Sequence, residues 1–137
     1  MTHLVTGGSG FLGNLIARRL HARGERVRVF DVWEDPSRPN EIEFIRCDIR
    51  DAAGVARAMQ HVDVVHHNAA LVPLTKANSE FWSVNVDGSR IAAEQAAKAG
   101  VKTFIHTSSS AIFGAPGKCP VTNNSPLRPV EIGRANV

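Results

Sequence analysis

Three glycines near the amino terminus have a spacing that suits phosphate binding. They are Gly7, Gly10 and Gly13 in "VTGGSGFLG", a G-x-x-G-x-x-G pattern between a strand-like run and a helix-like run. Glycine lets the chain turn tightly and lets its backbone approach a pyrophosphate, while the helix amino terminus supplies unpaired N–H groups. The pattern predicts a dinucleotide site, although an ordinary strand-to-helix turn can carry the same glycines.

An acidic residue at the end of the next strand-like run strengthens that prediction. Asp31 closes "RVRVFD", where a carboxylate can accept hydrogen bonds from the adenosine ribose hydroxyls of a dinucleotide. The same negative charge repels the 2′-phosphate of NADP. We therefore expect NAD as the cofactor in preference to NADP.

The elements that position these residues alternate along the chain. Helical patterns run from about Gly10 to Arg23, from Asp51 to Met59, and from about Ala77 to Ala99, where Gly100 ends the last one. Five apolar, β-branched runs are predicted as strands, namely "HLVT", "RVRVFDV", "IEFIRCDI", "VDVVHH" and "KTFIHTSS". Apolar strands separated by helices predict a parallel sheet covered on both faces, so the expected fold class is α/β, doubly wound, with about five strands.

Length and composition set the class of protein. The chain has 137 residues, 43% of them apolar and 21% charged, which suits one globular domain. No stretch approaches the ~20 consecutive apolar residues of a membrane span, and no leader-like sequence follows Met1, so we expect a cytoplasmic protein without a membrane partner. Cys47 and Cys119 match no metal spacing and are expected to be reduced thiols.

The positive charge is concentrated in one place. A formal net charge of +3 comes largely from "RRLHARGERVR", which contains Arg18, Arg19, Arg23, Arg26 and Arg28. Such a cluster can contact nucleic acid, but it lacks interleaved aromatic residues and any recognised reading motif. We interpret it as a solvated face and expect no nucleic-acid partner.

Together these motifs resemble the extended short-chain dehydrogenase/reductase superfamily and, within it, the NAD-dependent epimerase/dehydratase group. "TGGSGFLG" is similar to the glycine motif of that group, which implies cofactor contacts at Phe11 and Leu12 as well as at the three glycines. "CDIRD" resembles the segment that contacts adenine, which implies that Asp48 and Ile49 bind the cofactor.

Three later segments extend the resemblance. "HHNAA" is similar to the H-x-A-A pattern of the group and implies that His67, Ala69 and Ala70 line the cofactor. "NVDGS" resembles N-V-x-G-T on the helix behind the site and adds Asn85 to the cofactor-binding residues. Taken alone, His66 and His67 are also compatible with polar residues at a strand end, and two adjacent histidines do not predict a metal site.

The segment "TSSSAIFG" resembles the end of the fifth strand, where the group has a catalytic Ser or Thr. Aligning Phe113-Gly114 on the usual Tyr-Gly makes Ser109 the catalytic counterpart, with Ser108 on the cofactor side. A shift of one position would move the catalytic role to Ser108 or Ser110. Taken alone, the serines are also compatible with the start of a loop. The Pro-, Gly-, Asn- and Ser-rich stretch 114–129 is the longest loop-like segment of the sequence.

The resemblance fails at the proton-transfer residues. The group uses a Tyr and a Lys four residues later, and the corresponding stretch here is "EIGRAN". Either Ile132 replaces the tyrosine or the tyrosine is missing before Gly133, and in both alignments Asn136 stands where the lysine belongs. The sequence contains no tyrosine, and neither isoleucine nor asparagine can perform the proton transfer. We therefore expect residues 1–137 to be a truncated NAD(P)-binding Rossmann domain without the C-terminal substrate domain.

Three hypotheses about function follow. The first is a portion of an oxidoreductase that transfers hydride between NAD and a sugar-like or sterol-like alcohol, with a small-molecule substrate and a homodimeric parent protein. In it, residues 71–77 would border the substrate. The second is a catalytically inactive NAD sensor or pseudoenzyme. The third is a nucleotide-free structural domain, which the intact glycines and Asp31 argue against.

Overall fold

A computed structural model describes residues 1–71, 80–114 and 120–128. Its centre is a parallel sheet of five strands in the order β3-β2-β1-β4-β5. The strands are β1 (Thr2–Thr6), β2 (Arg26–Asp31), β3 (Glu43–Arg46), β4 (Val64–His67) and β5 (Thr103–His106). The predicted doubly wound α/β class and the predicted number of strands are therefore confirmed.

The helices are α1 (Phe11–Ala22), α2 (Ala52–Ala58), α3 (Glu80–Trp82) and α4 (Gly88–Lys98), with a π-helical segment at Ser83–Asp87 and a 3₁₀ turn at Ser110–Phe113. Gly100 ends the last long helix with a φ of 72°, as predicted. The helix predicted over 77–99 differs from the observed one. Its first residues lie outside the described ranges, and the wider π-helical turn separates α3 from α4.

The strand order creates a crevice beside β1. This strand pairs with β2 on one side and with β4 on the other. The chain leaves β1 in one direction and later returns to its opposite side, so the connections at the carboxyl ends of β1 and β4 diverge. In open α/β sheets, ligands bind at such a reversal of strand order.

Two apolar cores hold the sheet between its helices. Leu4, Phe30 and Val65 belong to the core beneath α2 and α4, and Val5, Val29 and Ala17 belong to the core beneath α1. Neighbouring residues Leu4 and Val5 point to opposite faces because side chains alternate along a strand. All five residues of β1 are buried, as expected for a central strand. Among the described residues, no helix is both long and apolar enough to cross a bilayer.

Candidate functional site

A cleft of about 360 Å³ opens where β1, β2, β3 and β4 end. Seven of the predicted cofactor residues line it, namely Gly7, Gly10, Asp31, Asp48, Ile49, Ala69 and Ala70. These residues come from four separate connections in the sequence, and the strand order brings them to one place. The cleft is the strongest candidate for a binding site among the residues that the structure describes.

The three motif glycines have different structural roles. Gly7 has a φ of 64°, and a Cβ there would lie 2.8 Å from the backbone nitrogen of Ala69. A Cβ at Gly13 would overlap the carbonyl oxygen of Gly7, which fixes how closely α1 approaches the loop. At Gly10, a Cβ would meet only that same oxygen at 3.3 Å, and the residue faces the cleft. Gly7 and Gly13 thus allow backbone packing, whereas Gly10 keeps the cleft floor open.

The amino terminus of α1 lies beside that floor. The helix begins at Phe11 after Gly10, and its first turn carries no acidic residue. The first N–H groups of a helix have no partner within the helix and lie at the positive end of its dipole. Phe11 and Leu12 are the first two residues of this helix and directly follow Gly10, which lines the cleft. An anionic pyrophosphate fits this arrangement.

Asp31 is held in place by backbone N–H groups. Its Oδ2 accepts the Ser9 N–H at 3.0 Å, and its Oδ1 accepts the N–H groups of Val32 at 2.8 Å and Trp33 at 3.4 Å. The Ser9 hydroxyl in turn donates to the Trp33 carbonyl oxygen at 2.8 Å. A carboxylate has about four acceptor positions, so Asp31 can still accept a hydroxyl from the cleft. The glycine loop and the acidic residue therefore form one hydrogen-bonded unit.

A second carboxylate, that of Asp48, also lines the cleft. Asp48 is paired with Arg50, whose Nη2 lies 2.6 Å from Oδ2 and whose Nε lies 2.9 Å from Oδ1. This pairing is the main cause that holds the pKa of Asp48 below its usual value. Cys47 is a half-buried free thiol next to it, and burial raises its pKa, which disfavours a reactive thiolate. Cys119 lies outside the described residues.

His67 is buried behind the cleft, outside the residues that line it. Its Nδ1 lies 2.8 Å from the Thr6 hydroxyl and its Nε2 lies 3.0 Å from the Ser89 hydroxyl. The Thr6 oxygen also accepts the N–H groups of Asn68 and Ala69, at 3.2 and 3.3 Å. With its acceptor positions occupied, the Thr6 hydroxyl donates to Nδ1, so His67 carries its proton on Nε2. Burial, with a smaller effect of His106, lowers the pKa of His67 to about 4.

Asn85 supports the cleft through the backbone of Leu71. It is 3% exposed, its Oδ1 accepts the Leu71 N–H at 2.7 Å, and its Nδ2 donates to the Leu71 carbonyl at 3.0 Å. The asparagine lies in the π-helical segment. Next to it, Gly88 packs against Ile49, where a Cβ would lie 2.6 Å from Cγ2. This segment therefore packs behind the cleft, in agreement with the place predicted for "NVDGS".

Comparison with known proteins gives the family. The model of the NAD dependent epimerase/dehydratase family matches residues 3–132. The chain belongs to the NAD dependent epimerase/dehydratase family. The resemblance that the motifs indicated is thereby confirmed.

Relatives of known sequence or structure agree. The chain is 45% identical to the uncharacterized protein y4nG of Sinorhizobium fredii, over 99% of this chain and 35% of that protein. It is 38% identical to sterol demethylase protein B of Methylococcus capsulatus, over 88% of this chain and 37% of that protein. The solved UDP-glucose 4-epimerase of Thermus thermophilus, a complex with NAD, superposes with a TM-score of 0.88 at 32% identity, covering 99% of this chain and 47% of the epimerase. The chain thus spans between about a third and about half of these relatives.

The family's serine segment lies apart from the cleft lining. Ser108, Ser109 and Ser110 are exposed and follow β5. The Ser109 hydroxyl oxygen accepts the Ala111 N–H at 3.2 Å and caps the 3₁₀ turn. Its own O–H stays able to donate. The stretch with Ile132, Gly133 and Asn136 lies outside the described residues, as do residues 72–77 and, within the predicted loop 114–129, residues 115–119 and 129.

Several residues that line the cleft were absent from the motif-based prediction. They are Phe30, Val32, Trp33, Cys47, Arg50, Asn68, Leu71, Glu80 and Val84. Most of them adjoin a predicted residue, as Val32 and Trp33 adjoin Asp31. Extending each family motif by two positions would have found them. Glu80 is different, because the only sign of its place is its ion pair with Arg50 in the folded chain.

Proposed function

We propose that residues 1–137 are the NAD-binding Rossmann domain of an NAD-dependent epimerase/dehydratase-like oxidoreductase. NAD is preferred to NADP, and the reaction is hydride transfer with a sugar-like or sterol-like alcohol. The proposed cofactor-binding residues are those predicted from the motifs, namely Gly7, Gly10, Phe11, Leu12, Gly13, Asp31, Asp48, Ile49, His67, Ala69, Ala70, Asn85 and Ser108. Of these, His67 and Asn85 support the cleft from behind.

One observation carries the cofactor assignment. Gly10 and Asp31 face the same cleft, and the Ser9 N–H joins the glycine loop to the Asp31 carboxylate. The open floor at Gly10 and the α1 amino terminus suit the negative charge of a pyrophosphate, and Asp31 suits a ribose hydroxyl. A 2′-phosphate would be placed beside that carboxylate, which disfavours NADP. When bound, NAD supplies the hydride acceptor, and the cleft residues bind and orient it.

The catalytic part of the proposal rests on sequence. Ser109 is proposed as the catalytic serine, and the 137 residues contain no tyrosine to exchange a proton with the substrate. The relatives are more than twice as long as the region they share with this chain. We therefore place most of the substrate-binding residues in a part of the parent protein beyond these residues, and we propose a homodimeric parent. The substrate class is left as sugar-like or sterol-like, because relatives named for a UDP-sugar and for a sterol share this domain.

An NAD titration by calorimetry tests the cofactor assignment. Wild-type protein is expected to bind NAD more tightly than NADP. Asp31→Ala is expected to weaken NAD binding by about tenfold, since a hydrogen bond to a charged group contributes about 1.5–3 kcal/mol, and to shift the relative preference toward NADP. Asp87→Ala, which removes a carboxylate paired with Arg90 on α4, is the matched control and should bind NAD normally.

Each result of the titration and of an activity assay bears on a different part of the proposal. Unchanged NAD affinity and selectivity in Asp31→Ala would refute the ribose assignment. Asp31→Asn distinguishes lost charge from lost packing, because the amide oxygen still accepts one N–H while the negative charge is gone. Turnover of a UDP-sugar or sterol substrate by the 137-residue chain alone would contradict the catalytic part of the proposal. NAD binding without turnover would also suit a sensor, and activity of the parent protein decides between them.

A further inference from the structure

Arg50 forms a bridge between two walls of the cleft. Its guanidinium pairs with Asp48, and its Nη1 lies 3.5 Å from Oε1 of Glu80 and 3.4 Å from the hydroxyl oxygen of Ser83. Asp48, Arg50 and Glu80 all line the cleft. The arginine thus joins the connection after β3 to helix α3 and the π-helical segment.

The pairing leaves Asp48 one defined place for a further donor. Its Oδ1 accepts two N–H groups of Arg50, the backbone N–H and Nε–H, each at 2.9 Å. Its Oδ2 accepts Nη2–H at 2.6 Å. A carboxylate has about four acceptor positions, so Arg50 alone fills about three of them. The remaining position is on Oδ2 and can take a single N–H donor.

An exposed carboxylate discriminates between ligand groups better when a neighbouring side chain holds it in one orientation. The Asp48 side chain is 38% exposed, and a side chain in that setting loses conformational freedom when it binds a ligand. A planar guanidinium that binds both oxygens fixes the plane of the carboxylate, which the single ammonium of a lysine cannot do. The structure therefore shows Asp48 already oriented by its neighbour.

We propose that Arg50 is a positioning residue that orients Asp48 to accept the 6-amino group of adenine and thereby gives the cleft its base selectivity. The inference rests on the proposed binding of NAD in this cleft. The exocyclic 6-amino group is the N–H donor of the adenine base, so it matches the one acceptor position that Arg50 leaves open. Glu80 and Ser83 hold the other side of the guanidinium, so α3 contributes indirectly to base recognition.

The test compares NAD with nicotinamide purine dinucleotide, in which a hydrogen atom replaces the 6-amino group of adenine. Wild-type protein is expected to bind NAD about tenfold more tightly than this analogue, since one hydrogen bond to a charged group is lost. Arg50→Ala is expected to bring the affinity ratio close to one. Arg50→Lys is expected to lose most of the ratio too, because it keeps the charge but not the two-point contact. Arg90→Ala, an exposed arginine on α4, is the matched control and should keep the wild-type ratio.

A double-mutant cycle shows whether Arg50 acts through Asp48. In an Asp48→Ala background, Arg50→Ala should have no further effect on the NAD-to-analogue ratio. A further drop in that ratio would overturn the positioning role. The inference is also overturned if Arg50→Ala keeps the wild-type ratio, whatever its NAD affinity, or if the wild-type protein binds both dinucleotides equally. Wild-type protein that binds neither dinucleotide refutes the proposed function itself, which is a separate result.

Discussion

The two ends of the crevice are built in different ways. At the ends of β2 and β3, the two candidate carboxylates are each held by a neighbour, Asp31 by Ser9 and Asp48 by Arg50. At the end of β5, the candidate serines are exposed, and the Ser109 hydroxyl oxygen accepts a local backbone N–H. The proposed recognition of a dinucleotide therefore relies on contacts already present among the described residues. The serine end of the crevice, proposed to be catalytic, offers side chains outside the residues that line the cleft.

The largest expected effects separate two glycines of one motif. Gly13→Ala should destabilise the fold by about 3 kcal/mol, because its Cβ would overlap the Gly7 carbonyl oxygen and force α1 away from the loop. Gly10→Val should instead abolish measurable NAD binding while the unfolding free energy changes by less than about 1 kcal/mol, since its side chain would occupy the cleft floor. Urea denaturation and NAD titration of both variants measure the two effects.

These two variants serve as controls for each other. Gly10 adopts an extended conformation with a φ of −74°, which a residue with a side chain tolerates. Retained NAD affinity in Gly10→Val would show that the pyrophosphate lies elsewhere. A Gly13→Ala protein as stable as wild type would show that α1 can shift without loss of unfolding free energy. The end of the crevice at the glycine loop would then be held less firmly than the structure indicates, and it would differ less from the serine end.

A smaller effect is expected at His67, which links β1 to α4. Its pKa is lowered from 6.5 to about 4, so the unfolded chain binds the proton more readily than the folded chain. Stability contributed by neutral His67 is therefore complete above pH 6.5 and falls as the pH drops toward 4. The difference in unfolding free energy between wild type and His67→Gln should shrink by on the order of 3 kcal/mol over that range.

NMR of the imidazole nitrogens provides an independent check. The hydrogen-bond directions place the proton on Nε2 and leave Nδ1 as an acceptor from Thr6. His66 is the matched control, since it lies on the other face of the sheet, where its Nε2 is 3.2 Å from Nδ1 of His3. An Nδ1-protonated His67, or a stability difference that does not change with pH, would contradict this network.

Much of the fold was predictable because its signals are local. Apolar strand runs, the glycine spacing and the Asp31 position all lie within single segments, and the structure places them as the sequence indicates. The adjacent histidines in "HH" are a feature that local sequence signals do not resolve. Side chains alternate in a strand, so one histidine must face each side, but the sequence does not tell which one reaches Thr6 and Ser89.

Other features depend on contacts between distant segments. The π-helical turn allows Asn85 to bond the Leu71 backbone and Gly88 to pack on Ile49, and no periodicity in "FWSVNVDGS" signals it. The role of Arg50 also depends on a contact between distant segments, because its ion pair with Glu80 joins residues 30 positions apart. Motifs therefore predicted the groups that we propose touch the cofactor, whereas the groups that orient them required the folded structure.

The smallest expected effects are at the serines after β5. Ser109→Ala should leave NAD affinity unchanged within about twofold, because its oxygen caps the 3₁₀ turn through Ala111 and it lies outside the cleft lining. Ser108→Ala, proposed on the cofactor side, should weaken NAD binding by no more than about fivefold, the effect of one neutral hydrogen bond. Both are measured in the same titration as Gly10→Val. A tenfold loss in Ser109→Ala would place the nicotinamide end of the cofactor against that hydroxyl. The serine end of the crevice would then contribute to cofactor binding by itself, and its contrast with the end at β2 and β3 would be one of degree.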